Sequence, residues 1–379
     1  MKILFLFNND DRYGAGKSSL KLVEELNKYE DVQPIVVTPF KNRNNKFCND
    51  NGIENYSIPY FEETLGNNTN FFKKSVKKLV SRIVNGVFLL KIDNKINFNE
   101  IDIIHTCVAG NLNGQRLSEK YNIRHVWHLR DLPITWKYFN DRQFEKMGKS
   151  NTTFISISNY VNDYWKQLGI SSQTVYNGID PSTIKYTKNT KQQDKRKEII
   201  NIVFGSGLVE HKNPEIIIRA VANLSIELRR KLHIDFYGSA KKKYAHYLTA
   251  MVKENNLEEI IDFKGYSEDI NNLLTDYDIG IMSSFSEPFG RITIEYMLAG
   301  LYVLGSNTGA NPELIDQNSG RLFDINSPNQ LKEEITFLIT HPNEIKRSRK
   351  ISRPEAIARF SSDKNAKEIH NLYFKNLAN

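Results

Sequence analysis

The chain has 379 residues, of which 40% are hydrophobic, 11% aromatic and 25% charged; that is enough apolar material for two ordinary cores, and it excludes global disorder. Lys and Arg number 52 and Asp and Glu 44, so the formal net charge is +8, which suits an anionic ligand or membrane surface and is too small to argue for nucleic acid. The two cysteines, Cys48 and Cys107, lie outside any CxxC or Cys/His cluster, so a reduced cytosolic setting is expected and a disulfide framework or structural zinc is not.

Residues 3–7 form a short apolar run that predicts a buried strand. Asn8, Asn9, Asp10 and Asp11 end it too soon for a signal peptide, and no apolar stretch approaches the ~18 residues of a membrane span. The loop 8–16 holds Gly14 and Gly16, and Leu20, Val23 and Leu26 follow at helical spacing. Strand signals recur at 34–38, 101–105, 124–129 and 153–158, with helical patterns between several of them. Such alternation predicts a parallel sheet covered on both faces.

Residues 71–91, FFKKSVKKLVSRIVNGVFLLK, carry Lys73, Lys74, Lys77, Lys78, Arg82 and Lys91 and no acid. Phe72, Val76, Leu79, Ile83, Val87 and Leu90 recur every three or four residues. Two readings stand: a basic amphipathic helix lying on an anionic bilayer, or a domain helix with a solvated basic face. Residues 181–198 are charged and almost free of apolar side chains, which predicts a linker. A second strand series follows at 201–205, 234–237, 261–263, 279–282 and 302–305. There is no internal repeat. The expectation is an α/β chain of two parallel-sheet domains, 1–180 and 199–359.

The segment 283–300, SSFSEPFGRITIEYMLAG, carries the most chemistry. Pro288, Phe289 and Gly290 break the chain and a helix is expected from about Arg291. Free backbone N–H groups and a positive dipole end make its first turn a place for an anion such as a diphosphate. Glu287 precedes the helix and Glu295 lies about one turn inside it, so one carboxylate reaches what lies before the phosphates and the other what lies beside them. Gly290 allows close backbone approach. The competing reading is a helix cap with a surface acid.

This stretch resembles the E-x7-E signature of retaining glycosyltransferases of family 4, which have the GT-B fold of two Rossmann-like domains facing across a cleft. Other pieces fall in the family's order: YGAGKSSLKLVEEL (13–26), DIIHTCVAGNLNG (102–114), HVWHLRDLP (125–133), ISISNYVNDYW with VYNGID (155–180), GSGLVEHKN (205–213), FKGYSEDI (263–270) and GANPELI (309–315). The resemblance covers nearly the whole chain. It implies that Glu295 binds ribose hydroxyls of a nucleotide sugar and that Glu287 holds hydroxyls of the transferred sugar. It implies that the backbone of Phe289, Gly290, Arg291, Ile292 and Thr293 holds phosphate and sugar. Lys212, beside Asn213, would neutralise the departing diphosphate, and Gly265 and Tyr266 would touch the base. His128 would reach the sugar, Gly14, Ala15 and Gly16 would shape the cleft beside the phosphates, and Arg130 would contact phosphate or acceptor. Gly207 is a departure, because many relatives have an arginine there that grips phosphate with the lysine.

The implied reaction moves a hexosyl or N-acetylhexosaminyl group from a nucleoside-diphosphate sugar to an acceptor hydroxyl, with retention by front-face attack and no metal cofactor. A UDP-sugar is favoured because such donors are commoner. The implied setting is capsule, O-antigen or teichoic-type polysaccharide assembly, in the cytosol or at the inner face of the cell membrane. The acceptor would be a carbohydrate or lipid-linked, and residues 71–91 a contact to an anionic membrane. The family also implies that residues 360–379 return to pack on the first domain.

Other patterns are set aside. Asp276-Tyr277-Asp278 matches a metal-binding DxD, but it closes a helix and opens a strand, which favours structural use. GAGKSS (14–19) is similar to a P-loop, but the required first glycine is Asp11. His105 and His211 read as satisfied hydrogen-bonding groups. A glycosidase pair is disfavoured by the phosphate-type helix start between the two glutamates. Two rivals remain: a non-catalytic sugar-nucleotide-binding subunit that activates a partner, and a phosphorylase-like enzyme.

Overall fold

The computed structural model describes residues 1–8, 14–66, 71–133, 136–138, 147, 152–186 and 199–378. The chain divides into two compact units, 1–178 with 362–379, and 179–361.

The first unit carries strands β1 (Lys2–Leu6), β2 (Gln33–Thr38), β3 (Glu54–Ser57), β4 (Thr64–Gly66), β5 (Ile103–Thr106), β6 (Arg124–Leu129), β7 (Trp136–Tyr138), β8 (Thr152–Ser156) and β9 (Gln173–Thr174). Seven form one parallel sheet in the order β3-β2-β1-β5-β6-β8-β9, and β4 and β7 make a separate antiparallel pair. Side chains alternate along β1. Ile3 and Phe5, with Phe7 just beyond the strand, join a cluster with Leu22, Val23 and Leu26 of the Gly14–Leu26 helix. Leu4 and Leu6 join a second cluster with Phe88 and Ile92 of the Phe71–Asp93 helix. A strand buried on both faces has to be apolar throughout, which is why KILFL reads as a run. The Ser362–Ala378 helix belongs to this unit, and Ala366, Ile369, Leu372 and Tyr373 are buried in the first cluster.

The second unit carries β10 (Ile200–Gly205), β11 (Leu232–Tyr237), β12 (Ile261–Gly265), β13 (Ile279–Met282), β14 (Tyr302–Ser306) and β15 (Gly320–Phe323), all parallel in the order β12-β11-β10-β13-β14-β15. Its core joins these strands to the Glu215–Ala222, Lys242–Glu254 and Pro328–Thr340 helices. Residues 181–186, read from the sequence as the start of a linker, are packed on this unit: Ile184 is buried, and the Tyr186 hydroxyl donates to the Arg349 carbonyl at 3.1 Å. Residues 187–198, the rest of that predicted linker, lie outside the described residues. Asp278 of the DxD match has a structural use: its carboxylate accepts from the Asn201 N–H (3.0 Å) and pairs with Arg349 (3.3 Å).

Candidate functional site

In the second unit the chain leaves β10 for β11 and β12 on one side, then returns to β13 on the other. Loops leaving the carboxyl ends of β10 and β13 therefore part at a topological switch point, where ligands bind in open α/β sheets. Lys212 stands on the first loop and Glu287 on the second. Lys212 Nζ donates to Glu287 Oε2 in an ion pair whose side chains keep 19% and 15% of their exposure. The loops are also tied through their backbones. Ser283 Oγ lies 2.9 Å from the Lys212 and Asn213 carbonyl oxygens, and the Phe285 N–H donates to the His211 carbonyl at 3.0 Å. Asn213 closes the turn in the left-handed conformation (φ 48°, ψ 51°). Burial, then the Lys212 charge, lowers the His211 pKa, and Glu287 opposes the shift.

Gly290 sits at the N-cap of the Arg291–Ala299 helix with φ 82°. Gly309, on the loop after β14, supports the same corner. It has φ +60°, and a Cβ there would lie 2.5 Å from Glu287 N and 2.6 Å from Glu287 O. The Ala310 N–H donates to the Glu287 carbonyl at 2.9 Å. Glu295 is 9% exposed and accepts from Arg291 Nη2 at 3.2 Å, one helical turn away. Thr293 departs from its expected role, because its N–H donates to the Gly290 carbonyl (3.0 Å) and its hydroxyl to Asn311 Oδ1 (3.2 Å). The Phe289 ring packs edge-on against Phe360, and Ile292 covers Gly205, so both offer only backbone to a ligand. Gly207 faces open space, and a Cβ there would meet no described atom within 4 Å. Gly265 ends β12 at φ 72° and Tyr266 beside it is 62% exposed. Lys212, Asn213, Glu287, Gly290 and Tyr266 follow the carboxyl ends of strands of one sheet, and Gly265 is the last residue of such a strand.

In the first unit Gly14, Ala15 and Gly16 form the first turn of the Gly14–Leu26 helix, and residues 9–13 before them lie outside the described residues. His128 on β6 is fully buried. Arg130 Nη2 lies 3.2 Å from His128 Nδ1. A guanidinium only donates, so Nδ1 holds the lone pair. Burial first, then the Arg130 and His105 charges, holds the His128 pKa well below the ordinary imidazole range. The ring is therefore neutral with its proton on Nε2, and that atom is buried without a partner among the described residues. His105 Nε2, 3.3 Å from the same Nδ1, must also donate, so His105 Nδ1 accepts from the Tyr373 hydroxyl at 2.6 Å. Arg130 is only 4% exposed, and it also donates to the Cys107 carbonyl (3.1 Å) and to Asn177 Oδ1. Its geometry orients His128 rather than presenting a charge to solvent. Asn8 Oδ1, just beyond β1, and Asn111 Nδ2, just beyond β5, are likewise buried and unsatisfied among the described residues. Adjacent strands thus bring unused donors and an acceptor to one sheet edge, a pattern that suits a polyhydroxyl ligand.

His105, Tyr373, Asn111, Gly309 and Asn311 are not among the site residues expected from sequence. Gly309 and Asn311 fall inside the GANPELI block, where a glycine before a short helix is the available signal. His105 and Tyr373 are 268 residues apart, and nothing local marks the pair. His233, Asp235 and Asp262 group within 4.8 Å of one another away from these loops. Lys264 Nζ already sits between the two carboxylates at 3.3 and 2.9 Å, supplying the positive charge a cation would bring.

Residues 185–354 match the family model described as glycosyl transferases group 1. The chain is similar to spore coat protein SA of Bacillus subtilis (strain 168), 30% identical over 226 residues that span 54% of this chain and 59% of that protein. It is also similar to the O-antigen biosynthesis glycosyltransferase WclY of Escherichia coli, 30% identical over 217 residues that span 56% of this chain and 58% of that one. The chain thus spans under two thirds of the length of these relatives. Among solved structures, Anabaena Alr3699/HepE in complex with UDP superposes with a TM-score of 0.80 over 99% of this chain and 100% of that one, at 19% identity. That likeness establishes the fold, two Rossmann-like parallel-sheet domains.

Proposed function

We propose that the chain is a retaining, metal-independent glycosyltransferase of family 4. It moves a hexosyl or N-acetylhexosaminyl group from a nucleoside-diphosphate sugar, a UDP-sugar above all, to an acceptor hydroxyl in bacterial surface polysaccharide assembly. The observation that carries this reading is the Lys212–Glu287 pair at the β10/β13 switch point, beside the left-handed Gly290 that opens a helix. Supporting it are the family-model match over 185–354, the O-antigen glycosyltransferase among its relatives and the UDP complex among its structural neighbours.

The roles follow from charge and reach. Lys212 and the N–H groups at the start of the Arg291–Ala299 helix stabilise the diphosphate as it departs, which is where negative charge grows in the transition state. Glu287 holds hydroxyls of the transferred sugar and gives up part of its contact with Lys212 when the diphosphate arrives. Glu295, braced by Arg291, holds the ribose, and Gly265 and Tyr266 border the base. In the first unit, His128 donates its Nε2 proton to a substrate hydroxyl, and Gly14, Ala15 and Gly16 offer first-turn N–H groups to phosphate. Because Gly207 leaves one cation fewer, Lys212 carries more of the leaving-group stabilisation than it would beside an arginine.

Thermal shift against nucleoside diphosphates and nucleotide sugars, with and without chelator, tests the donor. A ligand at ~100 times its dissociation constant adds about 2.7 kcal/mol of stability. We expect a chelator-resistant shift from uridine diphosphates. Glu295→Ala weakens that shift at least about tenfold in affinity, and Lys212→Ala slows donor turnover by roughly 100-fold with a smaller effect on binding. Silence across the panel, or wild-type turnover in both variants, overturns the assignment. Binding without turnover under any acceptor identifies a non-catalytic subunit.

A further inference from the structure

The Phe71–Asp93 helix carries a second apolar stripe that faces away from the core. Its inward face is Ser81, Asn85, Phe88 and Ile92, all buried. Asn85 clamps it: its Oδ1 accepts from the Phe61 N–H at 2.8 Å, and its Nδ2 donates to the Phe61 carbonyl (3.1 Å) and to Glu63 Oε1 (3.2 Å). At 3.6 residues per turn, Val76, Leu79, Val80, Ile83, Val87 and Leu90 fall on the opposite side. Their exposures are 46%, 60%, 44%, 59%, 43% and 70%. A surface helix ordinarily turns its apolar stripe to the core and its polar face to water. Here polar side chains are spent on holding the helix in place, and six large apolar ones face outward.

We propose that this helix docks the protein on an anionic phospholipid surface, lying in the interface plane with the Val76–Leu90 stripe in the acyl boundary. Charge selects the occupant. Exposed Lys73, Arg82 and Lys91 flank the stripe, Lys77 is exposed but donates to the Thr64 carbonyl at 2.8 Å, and no acid occurs from residue 71 to 92. Lysine and arginine stems let their charges reach headgroups while the apolar residues sink. The alternating spacing of four and three along 76, 80, 83, 87 and 90 would also suit a second helix. A second copy of this chain, however, would bring the same cations against these ones. No described helix is long and apolar enough to cross a membrane, so docking is confined to the surface. This inference does not rest on the transfer reading, and its test uses no substrate.

The test is flotation of the full chain with phosphatidylcholine vesicles, with and without about one third phosphatidylglycerol, at low and high salt. Wild type is expected to float with the anionic vesicles, to stay unbound with the neutral ones and to release in high salt. Leu79→Glu combined with Ile83→Glu, both exposed and hence tolerated by the fold, is expected to cut binding by at least about tenfold with an unchanged melting temperature. Lys73→Glu with Arg82→Glu is expected to do the same. The proposal is overturned if wild type ignores anionic vesicles, or if the glutamate variants bind as well as wild type. It is equally overturned if light scattering finds a dimer that the Leu79 and Ile83 substitutions dissociate, since the stripe would then be a self-interface.

Discussion

Gly309 does its work through a side chain it lacks. Any Cβ at this position would press within 2.6 Å of the Glu287 backbone, and the left-handed φ adds its own penalty for an L-residue. Gly309→Ala is expected to cost about 1–3 kcal/mol, read in a urea melt, and to weaken donor binding because the displaced backbone carries Glu287. Conservative changes at exposed Tyr266 should leave stability unchanged, so the two readouts separate folding from binding. At this scale the sequence is legible where chemistry and local geometry coincide. Glu287, Gly290 and Glu295 lie within nine residues, and their spacing alone places them around a helix start. Thr293 reads as a backbone contact because the first N–H groups of a helix look free, yet its N–H already donates to the Gly290 carbonyl and its hydroxyl to Asn311 from the loop after β14.

Strands β5 and β6 carry His105, His125 and His128, all fully buried. Burial lowers all three pKa values, that of His125 to about 3. Such rings stay neutral in the folded protein and take up protons only on unfolding. Below the ordinary imidazole pKa near 6.5 the unfolded chain therefore binds more protons, so stability rises with pH and is lost as pH falls. Each histidine contributes a slope of up to about 1.4 kcal/mol per pH unit below that point. Urea midpoints at pH 7.5, 6 and 5 should fall steadily, and His125→Gln should flatten the trend. A flat profile would mean that the rings are charged inside the fold. Strand positions are readable where buried parallel strands are apolar runs, yet β3, β9 and β15 give no such signal. They are short edge or near-edge strands whose burial is intermediate or irregular, so the apolar pattern that marks a central strand is absent. The Phe71–Asp93 helix is recognisable as amphipathic, but a sequence does not say which face a helix turns inward. The core packing of Phe88 and Ile92 and the clamp from Asn85 to residues 61 and 63 decide that.

The first unit is discontinuous: residues 1–178 need the Ser362–Ala378 helix to complete one face of their sheet. Removing that helix uncovers the pockets of Ile369, Leu372 and Tyr373, a loss of roughly 5 kcal/mol at ordinary burial energies. That equals the lower end of a typical domain's whole stability. A chain ending at Ser361 is expected to lose the first unit's melting transition while the second unit's transition persists at its wild-type temperature. Coincident loss of both would contradict independent units. The two-domain plan is readable from the two strand series, whereas the role of Tyr373 behind His105 depends on a return of the chain that no local pattern announces. That return has a consequence in time. A polypeptide leaves the ribosome from its first residue onward, and domains usually fold in that order. Here the segment made first cannot finish folding until Tyr373 has emerged, whereas residues 179–361 are complete earlier. Nascent residues 1–178 are therefore expected to keep one apolar face of their sheet uncovered until residues 362–378 arrive.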